Sequence, residues 1–220
     1  MARWHGMAAW FLAVLASGCG SPAPPEHGPI MGRMAVEDWR VEPRVRIGAL
    51  NRYGSALDIA KAYGSLNLRD SSVTIGEGVA KDGTIVYPED PQRRFEIVWA
   101  DPGARRAPHR VILRGERTRW MLPKDVSLGT SLRELEEKNG RPFRLAGFGW
   151  DYAGVVTSWA GGALDSALGT GIKVYLEPRI EDRTGPGYKR LQGDREFLSS
   201  DPSMEALNPR IYQIFVDFDG

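Results

Sequence analysis

The sequence predicts an α+β fold made of two tandem repeats, each a short capped helix packed on antiparallel β-strands. Three observations predict it. Residues 55–64, SALDIAKAYG, and 131–140, SLRELEEKNG, align without a gap, matching Ser55 to Ser131, Asp58 to Glu134, Ile59 to Leu135 and Gly64 to Gly140. Each segment is followed by several short runs rich in β-branched and aromatic residues. The resulting order, helix then strands and again helix then strands, is strand-rich and helix-poor, which places helices on one face of antiparallel sheet.

In chain order, the N-terminus comes first. Residues 1–6, MARWHG, carry Arg3; residues 7–16, MAAWFLAVLA, are uninterruptedly apolar; Ser17-Gly18-Cys19 follows. A positive start, a short apolar stretch and small residues at a cleavage point make a secretory signal over 1–18. The apolar run is far below the ~20 residues needed to span a bilayer. LASGC at 15–19 resembles the bacterial lipobox, with Ala16 where that family prefers Leu, and Leu15 one position further back. The resemblance implies cleavage before Cys19, acylation of Cys19 and membrane anchoring by lipid, with the chain in the bacterial cell envelope. Gly20, in place of Asp, resembles an outer-membrane address facing the periplasm. Acyl chains contribute roughly 0.8 kcal/mol per buried methylene, so a multiply acylated terminus is a firm anchor. Residues 19–35 then read as the lipidated Cys and a Pro/Gly-rich tether, and Cys19 is the one cysteine in the chain, so no disulfide is expected in the folded part.

The first repeat spans 36–122. Ser55 accepts from the third helical amide, Asp58 reaches back to the cap amide, Leu57, Ile59 and Ala60 share a face, and Gly64 supplies a left-handed C-cap. Strands are expected at 72–75, at 84–87 after a KDG turn at 81–83, at 95–100 (FEIVWA) and at 109–114 (HRVILR). The second repeat spans 123–220. Its helix has the Ser131/Glu134 capping box, a Leu132/Leu135 stripe and Gly140 at the end. Strands are expected at 143–148, 155–159, 171–176 and 210–218, where Tyr212, Ile214, Val216 and Phe218 alternate. Loop signals fill 179–209, with TGPG at 184–187 and one helical turn from Pro202 capped by Asp201.

In its lipobox, its tether and this repeat, the chain resembles the small envelope lipoproteins of the outer-membrane assembly type. Its tandem arrangement is similar to the β-lactamase-inhibitor-protein architecture. The segment carrying the resemblance is SLGTSLRELEEKNGRPF at 127–143. The resemblance implies a fold and a habit of binding proteins, and no catalytic residues.

Composition narrows the chemistry. Lys and Arg number 29 against 28 Asp and Glu, a net charge of +1, which gives no basic excess for nucleic acid. Beyond the tether a single histidine remains, His109, so a Ser-His-Asp triad or a zinc site is not expected. No GxGxxG or P-loop appears, and no cofactor or metal is expected.

Three places could carry function. In GFGWDYAG, residues 147–154, a strand would point Phe148, Trp150 and Tyr152 one way and leave Gly147, Gly149 and Asp151 on a nearly bare face. That aromatic face is either core under the second helix or an exposed platform, since Tyr and Trp carry interface hot spots. Arg110 and Arg114 share a strand face within a run of six arginines, 105–119, suited to anionic headgroups or an acidic partner. Glu77 in GEG and Asp151 could form a glycosidase carboxylate pair, or they could simply cap turns. The reading is a lipid-anchored envelope protein of non-enzymatic binding type, with a possible envelope protein partner. The alternatives are a cell-wall glycan hydrolase using Glu77 and Asp151, and a structural lipoprotein in outer-membrane assembly.

Overall fold

A computed structural model describes Met1 and residues 38–218. The expected signal at 1–18, Cys19 and the tether lie outside the described residues. The fold is mixed α+β with antiparallel sheets. Its centre is a six-stranded sheet of β4 (Leu68–Gly76), β5 (Val79–Val86), β6 (Phe95–Asp101), β7 (Arg106–Arg114), β10 (Ile172–Glu177) and β12 (Arg210–Asp217). Its spatial order is β10-β12-β7-β6-β5-β4, every pair antiparallel. Strands from both halves of the chain therefore share one sheet, meeting where β7 pairs with β12. A small sheet of β1 (Val41–Glu42), β2 (Arg46–Ile47) and β3 (Leu50–Asn51) precedes it. Another, of β8 (Arg144–Ala146), β9 (Val156–Ser158) and β11 (Glu196–Leu198), is tied to β10 by a bridge from Val155 to Tyr175.

The two aligned segments become helices α1 (Ala56–Tyr63) and α2 (Leu132–Asn139), and both capping boxes form. Ser55 Oγ accepts from the Asp58 amide and Ser131 Oγ from the Glu134 amide, while each carboxylate takes the cap N–H. Both helices also begin on a strand in the same way. The Ala56 amide donates to the Arg105 carbonyl beside β7, and the Leu132 amide to the Pro209 carbonyl beside β12; Ser55 bridges Arg106 and Ser131 bridges Arg210. Gly140 is the left-handed cap expected of it, at φ 75°, ψ 6°. Gly64 takes φ 85° with ψ 135°, a different conformation, because the chain turns at once into a 3-10 turn at Ser65–Asn67. Leu57, expected on the inner face of α1, is exposed; Ile59 and Tyr63 are the residues that α1 buries.

Two faces of the main sheet bury different things. The helix side holds the large core, with Trp120, Phe95, Ile97, Val111, Leu113, Ile214 and Val216. Its aromatics meet edge to face: Phe95 and Trp120 lie 5.1 Å apart, Trp39 and Trp120 5.0 Å, the arrangement that ring quadrupoles favour. The opposite face holds a smaller cluster of Val73, Val98, Ile112, Tyr175 and Phe215.

Several expectations are corrected. Lys81–Gly83 is not a turn: it lies inside β5, and the hairpin turns at Glu77–Gly78, where Gly76, Glu77 and Gly78 all have positive φ. Gly83 is glycine because β6 passes close; a Cβ there would sit 2.2 Å from the Ile97 carbonyl oxygen. GFGWDYAG is not a strand. The Gly154 amide closes onto the Gly147 carbonyl (3.1 Å) and the Ala153 amide onto Trp150 (3.0 Å), giving a tight loop. Additional short elements are α3 (Ala163–Leu168), α4 (Pro186–Arg190) and β11, all in stretches too short for periodicity to show. Asp201 does cap a helix, α5 (Pro202–Leu207), by accepting from the Ser203 amide at 2.8 Å.

Candidate binding surface

The loop at 147–154 is positioned by contacts that tolerate no side chain. A Cβ on Gly147 would lie 2.5 Å from the Gly193 carbonyl oxygen and 2.6 Å from that of Leu191. Phe148 is 1% exposed and stacks on Tyr188 at 5.8 Å. It belongs to the core, held by the Phe148 amide on the Leu191 carbonyl and the Gly193 amide on its own carbonyl. With Phe148 pinned inward, the next residues turn outward. Trp150 is half-buried, its Nε1 donating to the Gly147 carbonyl at 3.0 Å, and its ring meets Tyr152 edge to face at 5.6 Å. Asp151 and Tyr152 are exposed.

Across from this loop stands the β4–β5 turn. The Glu77 carboxylate lies beside the Tyr152 hydroxyl and raises the phenol's pKa, with desolvation and the Asp151 charge adding to the rise. A residue in the first half of the chain thus meets a residue in the second. Glu77 and Asp151 both act on the same phenol and both are exposed. Tyr152 in turn adds to the raised pKa of Tyr175, which burial pushes up to about 12 while Arg110 works against the rise. Tyr175 packs against Tyr212 and Phe215 with ring centroids 6.5 and 5.0 Å away.

Arg110 and Arg114 do share a face, that of the smaller cluster, where β7 meets β12 at Arg110↔Asp217 and Arg114↔Gln213. Their guanidinium groups are engaged within the chain. Arg110 forms an ion pair with Asp217 and lies over the Phe215 ring at 4.6 Å. Arg114 reaches Glu96 (3.3 Å), the Gln213 side chain and the Thr74 carbonyl. Glu96 and Gln213 are buried, so this is a satisfied interior network in which each charge has its partner. Of the expected site residues, the structure gathers Trp150, Asp151 and Tyr152 on one loop beside Glu77, brings Tyr152 and Arg110 within electrostatic reach of Tyr175, and engages Phe148, Arg110 and Arg114 within the fold.

Sequence reasoning missed two clefts. One, of about 430 Å³, is lined by Asp70, Ser72, Asp82, Trp99 and Arg105. Behind it Trp99 Nε1 donates to Thr84 Oγ1 (3.0 Å), which donates to Asp70 (3.1 Å), and Arg105 pairs with Asp70 at 2.6 Å. The other, of about 610 Å³, runs along α2 past Arg133, Glu136, Glu137 and Arg141 to Glu205. Nothing in the spacing of these residues marks them, since strand pairing and the return of α5 bring them together. Among the described residues no group of three or more His, Cys, Asp or Glu is placed to hold a metal ion, and no helix is long and apolar enough to cross a membrane. Compared with known proteins, the chain matches no family model, no curated protein and no solved structure.

Proposed function

We propose that this chain is a lipid-anchored bacterial cell-envelope protein that works by binding a partner, and that the rim formed by Trp150, Asp151, Tyr152 and Glu77 is its contact surface. The observation that carries the reading is the outward-facing Trp150–Tyr152 pair beside two exposed carboxylates, on a loop fixed by Phe148 and buried glycines. Rigid aromatic side chains on a fixed loop supply contact area at low entropic cost. The negative field at Tyr152 suits a partner that presents cationic side chains or amine groups. The anchor rests on LASGC and Cys19.

The same reading includes a two-repeat architecture. In its favour, α1 and α2 begin on β7 and β12 through equivalent hydrogen bonds, and those strands are antiparallel neighbours at the middle of the sheet. The bridge from Val155 to Tyr175 then continues the second half as β12, β10, β9, β8, mirroring β7, β6, β5, β4.

The test is cross-linking in intact cells with wild type, Cys19→Ser and Trp150→Ala/Tyr152→Ala. A protein captured by wild type and lost in the folded rim variant supports the surface. Retention of Cys19→Ser in the membrane fraction refutes the anchor, and capture that survives the rim variant refutes the surface. A second reading, glycan hydrolysis, has one point in its favour: Glu77 and Asp151 are brought to one phenol. Against it, both acids are exposed, whereas a general acid holds its proton at neutral pH by burial or close like charge. Release of sugar from cell wall by wild type and not by Glu77→Gln would favour it.

A further inference from the structure

Asp38 opens the continuous described stretch 38–218 and is held by a cluster of arginines. The Asp38 carboxylate is clamped by Arg46 at 2.6 Å and by Arg40 at 2.8 Å. Arg46 follows Val45 at the tip of the β1–β2 turn, and the Arg52 amide donates to the Val45 carbonyl, so the 51–53 turn lies against that tip. These two turns expose apolar side chains, Val45 at 52% and Tyr53 at 76%, and Leu57 in the first turn of α1 is 63% exposed. The Arg52 guanidinium lies over the Tyr53 ring at 5.4 Å, and among the described residues Arg52 makes no ion pair. Within 38–53 there are four arginines and two carboxylates. Val45 and Tyr53 thus stand on adjoining turns joined by the Arg52–Val45 backbone bond, with the Arg52 cation over the Tyr53 ring; water offers such apolar side chains no favourable partner. An interface between water and lipid does: aliphatic groups enter the acyl boundary, tyrosine sits at headgroup depth, and arginine meets phosphate.

We infer that Val45, Arg52, Tyr53 and Leu57 form a membrane-contact patch that lies on anionic lipid beside the point where the tether joins the folded body. The inference rests on the lipid anchor at Cys19. The length of chain from Cys19 to Asp38 argues for lipid as the occupant. Eighteen residues separate them, a span of at most about 65 Å, so the anchor holds this patch close to the bilayer at high effective concentration.

The experiment is hydroxyl-radical footprinting of the full mature lipidated chain on vesicles of phosphatidylethanolamine with phosphatidylglycerol, against the unlipidated Cys19→Ser chain in solution. Labelling of Val45, Tyr53 and Leu57 is expected to fall several-fold on the vesicles, while Ile180, which is 77% exposed, keeps its labelling. Arg52→Glu with Tyr53→Ser, both exposed and so neutral to folding, should restore labelling of Leu57 while the protein still pellets with the vesicles. A wild-type chain that does not pellet refutes the anchor. One that pellets with Tyr53 and Leu57 fully labelled, or with Ile180 protected equally, overturns the patch. Protection in cells but not on vesicles assigns the surface to a protein partner and also overturns it.

Discussion

Replacing Gly154 by Ala tests whether the aromatic loop is fixed by backbone contact. Gly154 has φ +68°, and an added Cβ would lie 1.9 Å from the Leu176 carbonyl oxygen and 2.9 Å from its carbon. Real Cβ atoms do not approach closer than 3.0 Å, so the loop and β10 must part by about 1 Å. The left-handed conformation alone costs alanine about 1–2 kcal/mol. Parting the loop also threatens two hydrogen bonds, the Leu176 amide to the Gly154 carbonyl (2.9 Å) and the Gly154 amide to the Gly147 carbonyl (3.1 Å), at about 1 kcal/mol each. The sum is about 3–4 kcal/mol, or a fall in Tm of about 6–16 °C for a domain this size. Gly149→Ala is the control. Its φ is +83°, but its Cβ would meet only the Gln192 side chain, at 3.2 Å, which can swing away. It should lose only the conformational part, about 1–2 kcal/mol. Thermal melts followed by circular dichroism compare the two. Equal shifts for Gly149→Ala and Gly154→Ala would refute the backbone-contact argument.

Other outcomes follow from single residues. Asn139, 2% exposed, donates to the Arg141 and Trp159 carbonyls at 2.9 Å and accepts from the Leu164 amide at 3.2 Å; Asn139→Leu should cost about 2–4 kcal/mol by orphaning the buried partners, read as a lower urea midpoint at unchanged m. Ser131→Ala and Ser55→Ala should each cost about 0.5–2 kcal/mol, with the double variant additive in thermal melts because the caps sit on separate helices. Burial pushes the Tyr63 and Tyr175 hydroxyls from 10.0 to about 12. Their contribution to stability is fully present below pH 10 and is lost between about pH 10 and 12, at about 1.4 kcal/mol per pH unit for each tyrosine. Urea midpoints across that range should fall with pH, and Tyr63→Phe should remove one tyrosine's share of the slope.

Much of the local structure was legible in the sequence because it depends on neighbours in sequence. The Ser55/Asp58 and Ser131/Glu134 boxes, Gly140 as a left-handed cap, Asp201 before Pro202, and the alternation of β12 each follow from residues within one or two turns of the chain. The failures came where a distant backbone imposed the conformation. Gly83 looked like a turn glycine because KDG is turn chemistry, yet β6 requires it flat within β5. GFGWDYAG has strand composition, but the close passage of Gly193 and Leu176 closes it into a loop. Leu57 has the right spacing for a buried face; α1 is nevertheless anchored through Ile59 and Tyr63, and Leu57 is left outside.

The candidate surface divides in the same way. The residue types were readable: aromatics beside acids at 148–152, arginines at 110 and 114, an acid between glycines at 77. Which of them meet was decided by the tertiary fold alone. Hairpin β4–β5 brings Glu77 to Tyr152 across 75 positions of sequence, a contact that no local pattern encodes. Pairing of β7 with β12 puts Asp217 beside Arg110 and Gln213 beside Arg114, turning an expected basic face into a satisfied interior network. The sequence by itself determined the two capped helices α1 and α2, the Asp201 cap, the alternating strand β12 and the α+β class, since these depend on short-range sterics and hydrogen bonding. The tertiary structure decided which charges remain available to a partner, because availability depends on what burial and long-range pairing place around each one.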